Sequence, residues 1–325
     1  MVKSKIKMNT KPLPIESNNY MSVLDFVKLH DSFVSQKLVE GLSQRTLQDY
    51  KKHMDYFIKW LEAEQRLSGS RWLDKVLFNE YSAHMIMNNY APNTINIRLR
   101  TIKTYLNWLR SEEYIKEDLA SKVKYVRVPK DTIKPLSTTE IRRMLNAVDK
   151  SNYAGFRDYS LMIMIMIMIL DNGIRINEAV NLKLDDVDLK RKVITVRSQT
   201  AKTRCERFLP ISKKTVGLLQ QLISVASDNN EEYLFLSSLG GKIDTLVAIK
   251  NFRKYAKKAG LSKKCTPHVW RHTFAVNAVK ANMDVFTLQR ILGHASLSTT
   301  RLYIQLDDEF ISAKHSEAGV LDRFV

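Results

Sequence analysis

Apolar residues recur every three or four positions through the first third of the chain. The segments "TLQDYKKHMDYFIKWL" and "NTINIRLRTIKTYLNWLRSEEYI" show this spacing, which places the apolar side chains on one face of a helix. Gly41 followed by Ser43 marks a break between two helices, and Pro92 with Asn93 marks a helix start. The pattern predicts four amphipathic helices between Ser22 and Glu117.

The pattern then changes at "VKYVRVPKDTIKPLSTTE", where two prolines and mixed charge predict a linker. Ser137 and Glu140 have the spacing of a capping box at the start of a new helix. We therefore predict a flexible basic tail over 1–20, a helical domain over 21–123, a linker over 124–135, and a second domain with a C-terminal tail over 136–325.

In the second domain, "LMIMIMIMIL" is apolar without a period and is compatible with a buried strand or a buried helix. Its methionines and the following "DNG" favour a helix packed in the core. The segments "KVITVRS" and "RCERFLPI" flank "QTAKT", which predicts a β-hairpin with Lys202 on its connection. The remainder is helical, with breaks at "SSLGGK", Gly260, Pro267 and Gly293, so this domain is predicted to be mainly α with a small antiparallel sheet.

Composition adds a charge preference to this picture. Lysine and arginine total 52 against 34 acidic residues, a formal charge of +18. The electrostatic field of the protein therefore attracts polyanions such as nucleic acids. The alternative is that the charges only form a solvated, soluble surface. The N-terminal segment lacks the apolar core of a signal peptide, and no apolar run is long enough to span a bilayer, so we expect a cytoplasmic protein. Cys205 and Cys265 form no CxxC pair, which predicts neither a disulfide framework nor a thiolate zinc site.

Several segments carry residues suited to binding a phosphate. In "DNGIRINEAV", Arg175 follows Gly173 at a predicted helix start, where its guanidinium and the first backbone amides can face an anion. Glu178, one turn later, is an alternative partner for the same guanidinium.

A second segment, "TPHVWRHTF", begins a helix with Thr266 as a possible cap and Pro267 at the first helical position. His268, Arg271 and His272 then lie on one face. The two histidines have the spacing of metal ligands, but the glutamate of an HExxH motif is missing and Arg271 would repel a divalent cation. An anion site is therefore favoured over a zinc site, and for this segment alone the default interpretation is a surface helix whose histidines have hydrogen-bond partners.

A third segment is "ILGHASLSTTRLY", in which Gly293 ends one helix and Ser296 or Ser298 caps the next. His294 lies in the tight connection, and Tyr303 is predicted on the following helix within reach of it. Taken alone, a tyrosine at position 303 is more often a core aromatic.

Taken in order, "GIRINE", "AKTRCERFLP", "HVWRH" and "LGHASLSTTRLY" resemble the motifs of the tyrosine recombinases, or phage integrases. That family shows G-[LI]-R-x-x-E, a hairpin lysine ahead of an arginine-x-x-P strand, H-x-x-R, L-G-H, and a tyrosine nine residues after that histidine. Asn177 and Trp270 depart from its usual serine and leucine without removing a reacting group. The helical half is similar to the family's SAM-like core-binding domain.

The resemblance implies a catalytic set, with Tyr303 as nucleophile, His268 as general base and Lys202 as general acid. It implies that two arginines and His294 bind the phosphate, that Glu178 supports them, and that no metal or cofactor is needed. The full implied set is Arg175, Lys202, His268, Arg271, His294 and Tyr303, with Glu178 in support.

The resemblance also implies a C-shaped clamp around double-stranded DNA at an inverted-repeat core site, with two protomers on each site and four in the synapse. The C-terminal tail is expected to dock on a neighbouring protomer or on its own domain. Helices of the first domain supply candidate DNA contacts at Arg45, Arg98, Arg100 and Lys103, for which phosphate contact or plain solvated charge is the alternative to base reading.

The expected function is site-specific DNA recombination through a 3′-phosphotyrosine. Alternatives are a type IB topoisomerase and a catalytically silent DNA-binding accessory protein, and the complete catalytic set argues against the silent protein. The short segment before the first helix favours an Xer-like layout over one with an arm-binding domain. Chromosome dimer resolution, phage integration and transposon movement all use this catalytic domain.

Overall fold

A computed structural model describes residues 21–65, 73–129, 134–147, 153–201, 205–237, 240–262 and 265–301, together with positions 303, 312, 316 and 319. The chain divides into two compact units, Met1–Asp131 and Thr132–Val325. Within the described residues, no helix has both the length and the apolarity needed to cross a membrane.

The described part of the first unit contains four long helices and one short helix, so the prediction of four helices before Glu117 is confirmed. Ser43 caps the second helix by accepting a hydrogen bond from the amide of Thr46 at 3.2 Å, and Pro92 occupies the first turn of the fourth. The helices are α1 Val23–Val39, α2 Gln44–Ala63, α3 Lys75–Met87, α4 Pro92–Ser111 and α5 Leu119–Lys122.

Aromatic side chains dominate the core of this unit. The ring of Tyr105, on α4, meets that of Phe26 edge-on at 4.8 Å, and its hydroxyl donates to the carbonyl of Phe26 at 2.6 Å. The indole of Trp108 donates to Gln36 Oε1 at 2.6 Å. Both contacts join α4 to α1, so the apolar face read from the sequence is the face on which the unit assembles.

The second unit is mainly helical with a small antiparallel sheet, which confirms the predicted fold class. Its helices are α6 Thr138–Asn146, α7 Tyr153–Asn172, α8 Ile176–Ala179, α9 Lys213–Asp228, α10 Thr245–Lys258, α11 Pro267–Lys280, α12 Val285–Leu292 and α13 Leu297–Arg301. Its strands are β1 Val187–Asp188, β2 Val193–Val196 and β3 Arg207–Pro210. The capping box of Ser137 and Glu140 is present at the start of α6.

The predicted hairpin is formed by β2 and β3, which pair antiparallel with Val193 opposite Pro210 and Val196 opposite Arg207. Strand β1 extends the sheet on the other side of β2. Alternate residues of β3 point into the core, so Arg207 and Leu209 are buried while Phe208 is exposed. Lys202, on the connection, lies outside the described residues.

The methionine-rich segment is part of α7, as predicted. Its side chains from Met162 to Ile169 include six that are fully or almost fully buried, namely Met162, Met164, Ile165, Met166, Met168 and Ile169. They form the centre of the core of the second unit, which confirms packing rather than a binding surface.

Gly173 follows α7 in the left-handed region, with φ of +66°. A Cβ added there would lie 2.5 Å from Phe274 Cδ1 and 2.9 Å from Leu292 Cδ2. The backbone of α7 therefore approaches α11 and α12 at a point where only glycine fits.

We predict that Gly173→Ala lowers the free energy of unfolding by about 2–4 kcal/mol, because it combines a left-handed alanine with an overpacked contact. Urea denaturation of the full chain, followed by circular dichroism, measures this change. Gly217→Ala is the matched control, since its Cβ would meet nothing within 4 Å on helix α9, and it should stabilise by about 0.5–1 kcal/mol. Equal effects of the two substitutions would contradict the packing argument.

Candidate active site

Arg175 is the N-cap residue of the short helix α8. Its backbone amide donates to Glu178 Oε2 at 3.0 Å, and its Nη1 donates to Glu178 Oε1 at 3.0 Å. Its Nη2 donates to the carbonyl of Gly293 at 3.0 Å. Of the two partners considered at the sequence level, Glu178 is the one that Arg175 contacts in the structure, and the Arg175 side chain is still 23% exposed.

Glu178 has a second partner that the sequence argument did not assign. Arg207, the arginine of the arginine-x-x-P motif, donates from Nη1 to Glu178 Oε1 at 3.1 Å and from Nη2 to Oε2 at 2.5 Å. Glu178 is 1% exposed. The position of Arg207 in β3 could have indicated this contact. Successive side chains of a strand point to opposite faces, so Arg207 points into the core, where its guanidinium requires a buried acceptor.

Arg271 lies on α11, where Pro267 occupies the first turn and Thr266 precedes it without a capping hydrogen bond from its side chain. Arg271 is buried, and its guanidinium donates to the carbonyls of Gly173 and Leu292, each at 2.5 Å. The Leu292 and Gly293 carbonyls are consecutive. The structure therefore brings the guanidiniums of Arg271 and Arg175 to adjacent acceptors at the end of α12.

The two histidines of α11 have different surroundings. His268 is solvent exposed, whereas His272 is buried with its ring 5.2 Å from the ring of Tyr303. His272 shares the helix face of Arg271 in the sequence pattern, and no role for it follows from that pattern. Among the described residues, no group of three or more histidine, cysteine, aspartate or glutamate side chains is arranged to hold a metal ion.

His294 follows Gly293, which ends α12 in the left-handed conformation as predicted. Arg271 Nη2 donates to His294 Nε2 at 3.2 Å, and His294 Nδ1 lies 2.9 Å from Thr300 Oγ1. A guanidinium has no acceptor, so Nε2 carries no proton and Nδ1 donates to Thr300. His294 is therefore a neutral imidazole in this arrangement.

Tyr303 lies in a turn directly after α13, not on a helix as predicted, and its amide donates to the carbonyl of Thr300. From this turn the side chain of Tyr303 packs inward. It is 7% exposed, and its ring stacks with His294 at 6.1 Å and an interplanar angle of 18°. Of the two predicted caps for α13, Ser296 is the one that accepts from a helix amide, that of Ser298.

Electrostatics distinguish these groups further. Burial raises the pKa of Tyr303 above its ordinary value, and the charges of Arg271 and Arg175 partly offset this rise. Burial followed by the same two charges lowers the pKa of His294 to about 4. Partial desolvation, then Arg271 and Arg175, lowers the pKa of His268 below 6.5.

Two groups keep their charge in spite of burial. Burial, followed by the charge of Arg175, lowers the pKa of Arg271 to about 9, so it remains a cation at neutral pH. Burial opposes ionisation of Glu178, but the hydrogen bonds and charges of Arg207 and then of Arg175 together outweigh it and hold the pKa of Glu178 below its ordinary value. The site is therefore a cationic, acceptor-poor cluster suited to a phosphate.

The candidate DNA contacts of the first unit differ in exposure. Arg45 and Arg100 are exposed, and Lys103 is partly buried with Nζ 5.6 Å from the ring centre of Tyr125. Arg98 is only 9% exposed, and its guanidinium lies 4.1 Å from the ring of Tyr56 and 4.4 Å from that of Tyr90. Because cation–π contacts hold it between two rings, Arg98 is not the solvent-facing cation that base reading would require.

Family models match both units of the chain. The phage integrase family model matches residues 134–309, more than half of the chain, and the phage integrase N-terminal SAM-like domain model matches residues 35–113.

Relatives align over nearly the whole length. Tyrosine recombinase XerC of Chlamydia pneumoniae is 29% identical, over 87% of this chain and 95% of that protein. Tyrosine recombinase XerA of Thermococcus kodakarensis is 27% identical, over 88% of this chain and 94% of that protein.

Solved structures share the fold. The Tn1549 transposon integrase in complex with a circular intermediate DNA is similar with a TM-score of 0.71 at 19% identity, covering 90% of this chain and 98% of that one. A lambda integrase dimer bound to a COC′ core site is similar with a TM-score of 0.68 at 15% identity, covering 87% and 95%. The chain belongs to the phage integrase family, and it is a tyrosine recombinase.

Proposed function

We propose that this protein recombines double-stranded DNA at a specific site through a covalent 3′-phosphotyrosine. The observation that carries the proposal is the cluster in which Tyr303 stacks on His294, while His294 binds Arg271 and Arg175 binds the adjoining backbone. A phenol beside two guanidiniums is the set required for attack on a phosphodiester. The proposed units are a core-binding domain over 21–123 and a catalytic domain over 136–325.

Arg175 and Arg271 bind the non-bridging oxygens of the scissile phosphate in this proposal. Their partial neutralisation of the phosphate favours the pentacoordinate transition state, in which negative charge increases. Both guanidiniums are held by backbone carbonyls at consecutive positions. Their orientation therefore costs little at the moment of reaction.

His294 is the further donor to the phosphate. In the structure its Nε2 accepts from Arg271 Nη2. Donation to the phosphate follows when this one N–H of the otherwise fixed guanidinium binds the phosphate instead, and the proton of His294 moves from Nδ1 to Nε2. Thr300 supports both tautomers, because its hydroxyl can accept from Nδ1–H or donate to a bare Nδ1. Thr300 is thus the group that permits the change without an unpaired nitrogen.

The proton and the bonds balance in the cleavage step. The Tyr303 phenol gives its proton to His268 as its oxygen bonds to phosphorus, and the bond to the 5′ oxygen breaks as Lys202 protonates that oxygen. The phosphotyrosine conserves the phosphodiester energy. A 5′ hydroxyl from another strand reverses the step, so strands are exchanged without ATP.

The partner is duplex DNA with an inverted-repeat core site, bound by a dimer on each site and a tetramer in the synapse. The charge of +18 supports binding to a polyanion, and the C-terminal tail, residues 304–325, is proposed to dock on a neighbouring protomer. The full-length likeness to tyrosine recombinases XerC and XerA favours an Xer-like enzyme.

We predict that Tyr303→Phe abolishes covalent DNA attachment and retains DNA binding, because only the phenol oxygen is lost from a packed ring. The protein is incubated in EDTA with sheared DNA from around its own gene, stopped with SDS, and the captured ends are sequenced. Recovery of one sequence with imperfect inverted repeats, dependent on Tyr303, is the expected result. Equal capture by the variant would remove Tyr303 as the nucleophile.

We predict that the cleavage rate at subsaturating DNA, which reports the free enzyme, is level near neutral pH. It should fall only below pH 6.5, because a base must be neutral and the pKa of His268 is lowered from that value. His268→Asn should slow cleavage by about 10²–10⁴-fold and remove this acid limb. His84→Asn in the first unit is the control, and an unchanged limb in His268→Asn would assign the base elsewhere.

We predict that Lys202→Ala fails to cleave normal DNA but cleaves DNA with sulfur at the 5′ bridging position, because a thiolate leaves without a proton donor. Covalent complex on both substrates is quantified by denaturing electrophoresis. Arg175→Ala is the comparison and should be slow on both substrates. Failure of the sulfur substrate to restore cleavage by Lys202→Ala would exclude Lys202 as the general acid.

A further inference from the structure

We propose that Arg207 is a positioning residue that keeps Arg175 available to the scissile phosphate by sharing the single carboxylate of Glu178. This inference rests on the proposed function, since it concerns the same phosphate site. Arg207 is the arginine of the arginine-x-x-P motif, and the catalytic scheme gives it no part. It is buried and does not reach the phosphate itself in this scheme; it acts through Glu178 and through the end of α12.

The hydrogen-bond capacity of the Glu178 carboxylate is filled jointly by Arg207 and Arg175. A carboxylate has about four acceptor positions, and here two are taken by Arg207 and two by the side chain and amide of Arg175. Arg207 contacts both oxygens. Glu178 is therefore saturated, and Arg175 contributes only Nη1 of its guanidinium to it.

The cluster around Glu178 carries more positive than negative charge. Within this cluster the cationic guanidiniums of Arg175, Arg207 and Arg271 face one carboxylate, which leaves positive charge in excess for the phosphate. If Arg207 were neutral, Glu178 would form a one-to-one ion pair with Arg175. Because Glu178 is almost fully buried, water could not replace the missing partner, and the pair would hold Arg175 away from the anion.

Arg207 also contacts the end of α12. Arg207 Nε donates to the carbonyl of Ile291 at 2.9 Å, and a Cβ on Gly293 would lie 3.1 Å from Arg207 Cδ and Nε. The guanidinium of Arg207 thus packs against the end of α12. The next two carbonyls, of Leu292 and Gly293, bind Arg271 and Arg175, so one side chain sets the position of both phosphate-binding arginines.

Three variants separate charge sharing from structural support. Arg207→Gln removes the charge, Arg207→Lys keeps it without the bidentate contact, and the double variant Arg207→Gln with Glu178→Gln removes both charges of the pair. If Arg207 shares the carboxylate, neutralising Glu178 releases Arg175. The double variant must then be more active than Arg207→Gln, although it has lost one more charged group.

A matched control exists on the same hairpin. Arg197 pairs through Nε with the buried Asp186, and among the described residues no hydrogen bond or ion pair joins either of them to Arg175, Glu178, Arg207 or Arg271. Arg197→Gln and its double variant with Asp186→Asn report the cost of breaking a partly buried ion pair in this unit. Loss of stability without a change in the cleavage rate per folded molecule is expected for both.

Two readouts decide the matter. The first is the rise in Tm on adding inorganic phosphate, which needs no DNA chemistry. The second is the rate of covalent complex formation at saturating DNA, alongside DNA affinity. We expect Arg207→Gln to lose the phosphate-induced rise in Tm and to slow cleavage on the order of 100-fold, the scale seen when one oxyanion donor is removed, with little change in DNA affinity.

The expected result for the double variant is recovery of the phosphate-induced Tm rise and of cleavage to within about tenfold of wild type, with Arg207→Lys intermediate. A double variant that melts as a folded protein but responds to phosphate no better than Arg207→Gln overturns the proposal. If Arg207→Gln does not fold, the same test is made by comparing the phosphate-induced Tm rise and the cleavage rate of Arg207→Lys with those of the double variant. Absence of covalent complex in wild type would instead refute the recombinase function. The phosphate-induced rise in Tm would still test the role of Arg207, because it does not depend on DNA cleavage.

Discussion

The buried carboxylate of Glu178 is the interaction on which the rest of the site depends. An isolated ionised carboxylate in a protein core is strongly unfavourable, so it must be matched by cations and filled with hydrogen bonds. Arg207 and Arg175 supply both. The ion pair joins the strand β3 to the helix α8, two segments that local propensity alone would not connect. The same contacts fix the orientation of Arg175, the arginine proposed to bind the phosphate.

The end of α12 completes this arrangement. Gly293 stops the helix in a left-handed conformation, so the carbonyls of Ile291, Leu292 and Gly293 have no helical partner. Three arginines satisfy them, one each. The three carbonyls at the end of α12 therefore fix the spacing of the three guanidiniums. The turn at Gly293 also places His294 within hydrogen-bond distance of Arg271.

The first unit shows the same physical requirement with a different outcome. Arg98 is also a buried cation, but its guanidinium lies between the rings of Tyr56 and Tyr90. In the part of the chain that the structure describes, its partners are these π faces and no ion pair to a carboxylate is present. Arg98 therefore stabilises the packing of α4 on its neighbours, while the exposed cations Arg45 and Arg100 remain candidates for contacts with DNA phosphates.

Sequence alone determined the elements and the motif residues, because both are local properties. The period of three to four predicted α1 to α4, alternation predicted the hairpin of β2 and β3, and glycine at 173 and 293 predicted the breaks. The spacing of Arg175, His268, Arg271, His294 and Tyr303 indicated the family. Tertiary structure alone decided what each group contacts. It decided that Glu178 is shared with Arg207, and that His294 is neutral between Arg271 and Thr300. It also decided that Tyr303 lies in a turn and packs on His294, and that Arg98 is buried between two rings. These depend on which side chains meet across distant segments, and burial and hydrogen-bond pairing fix that choice only once the chain has folded.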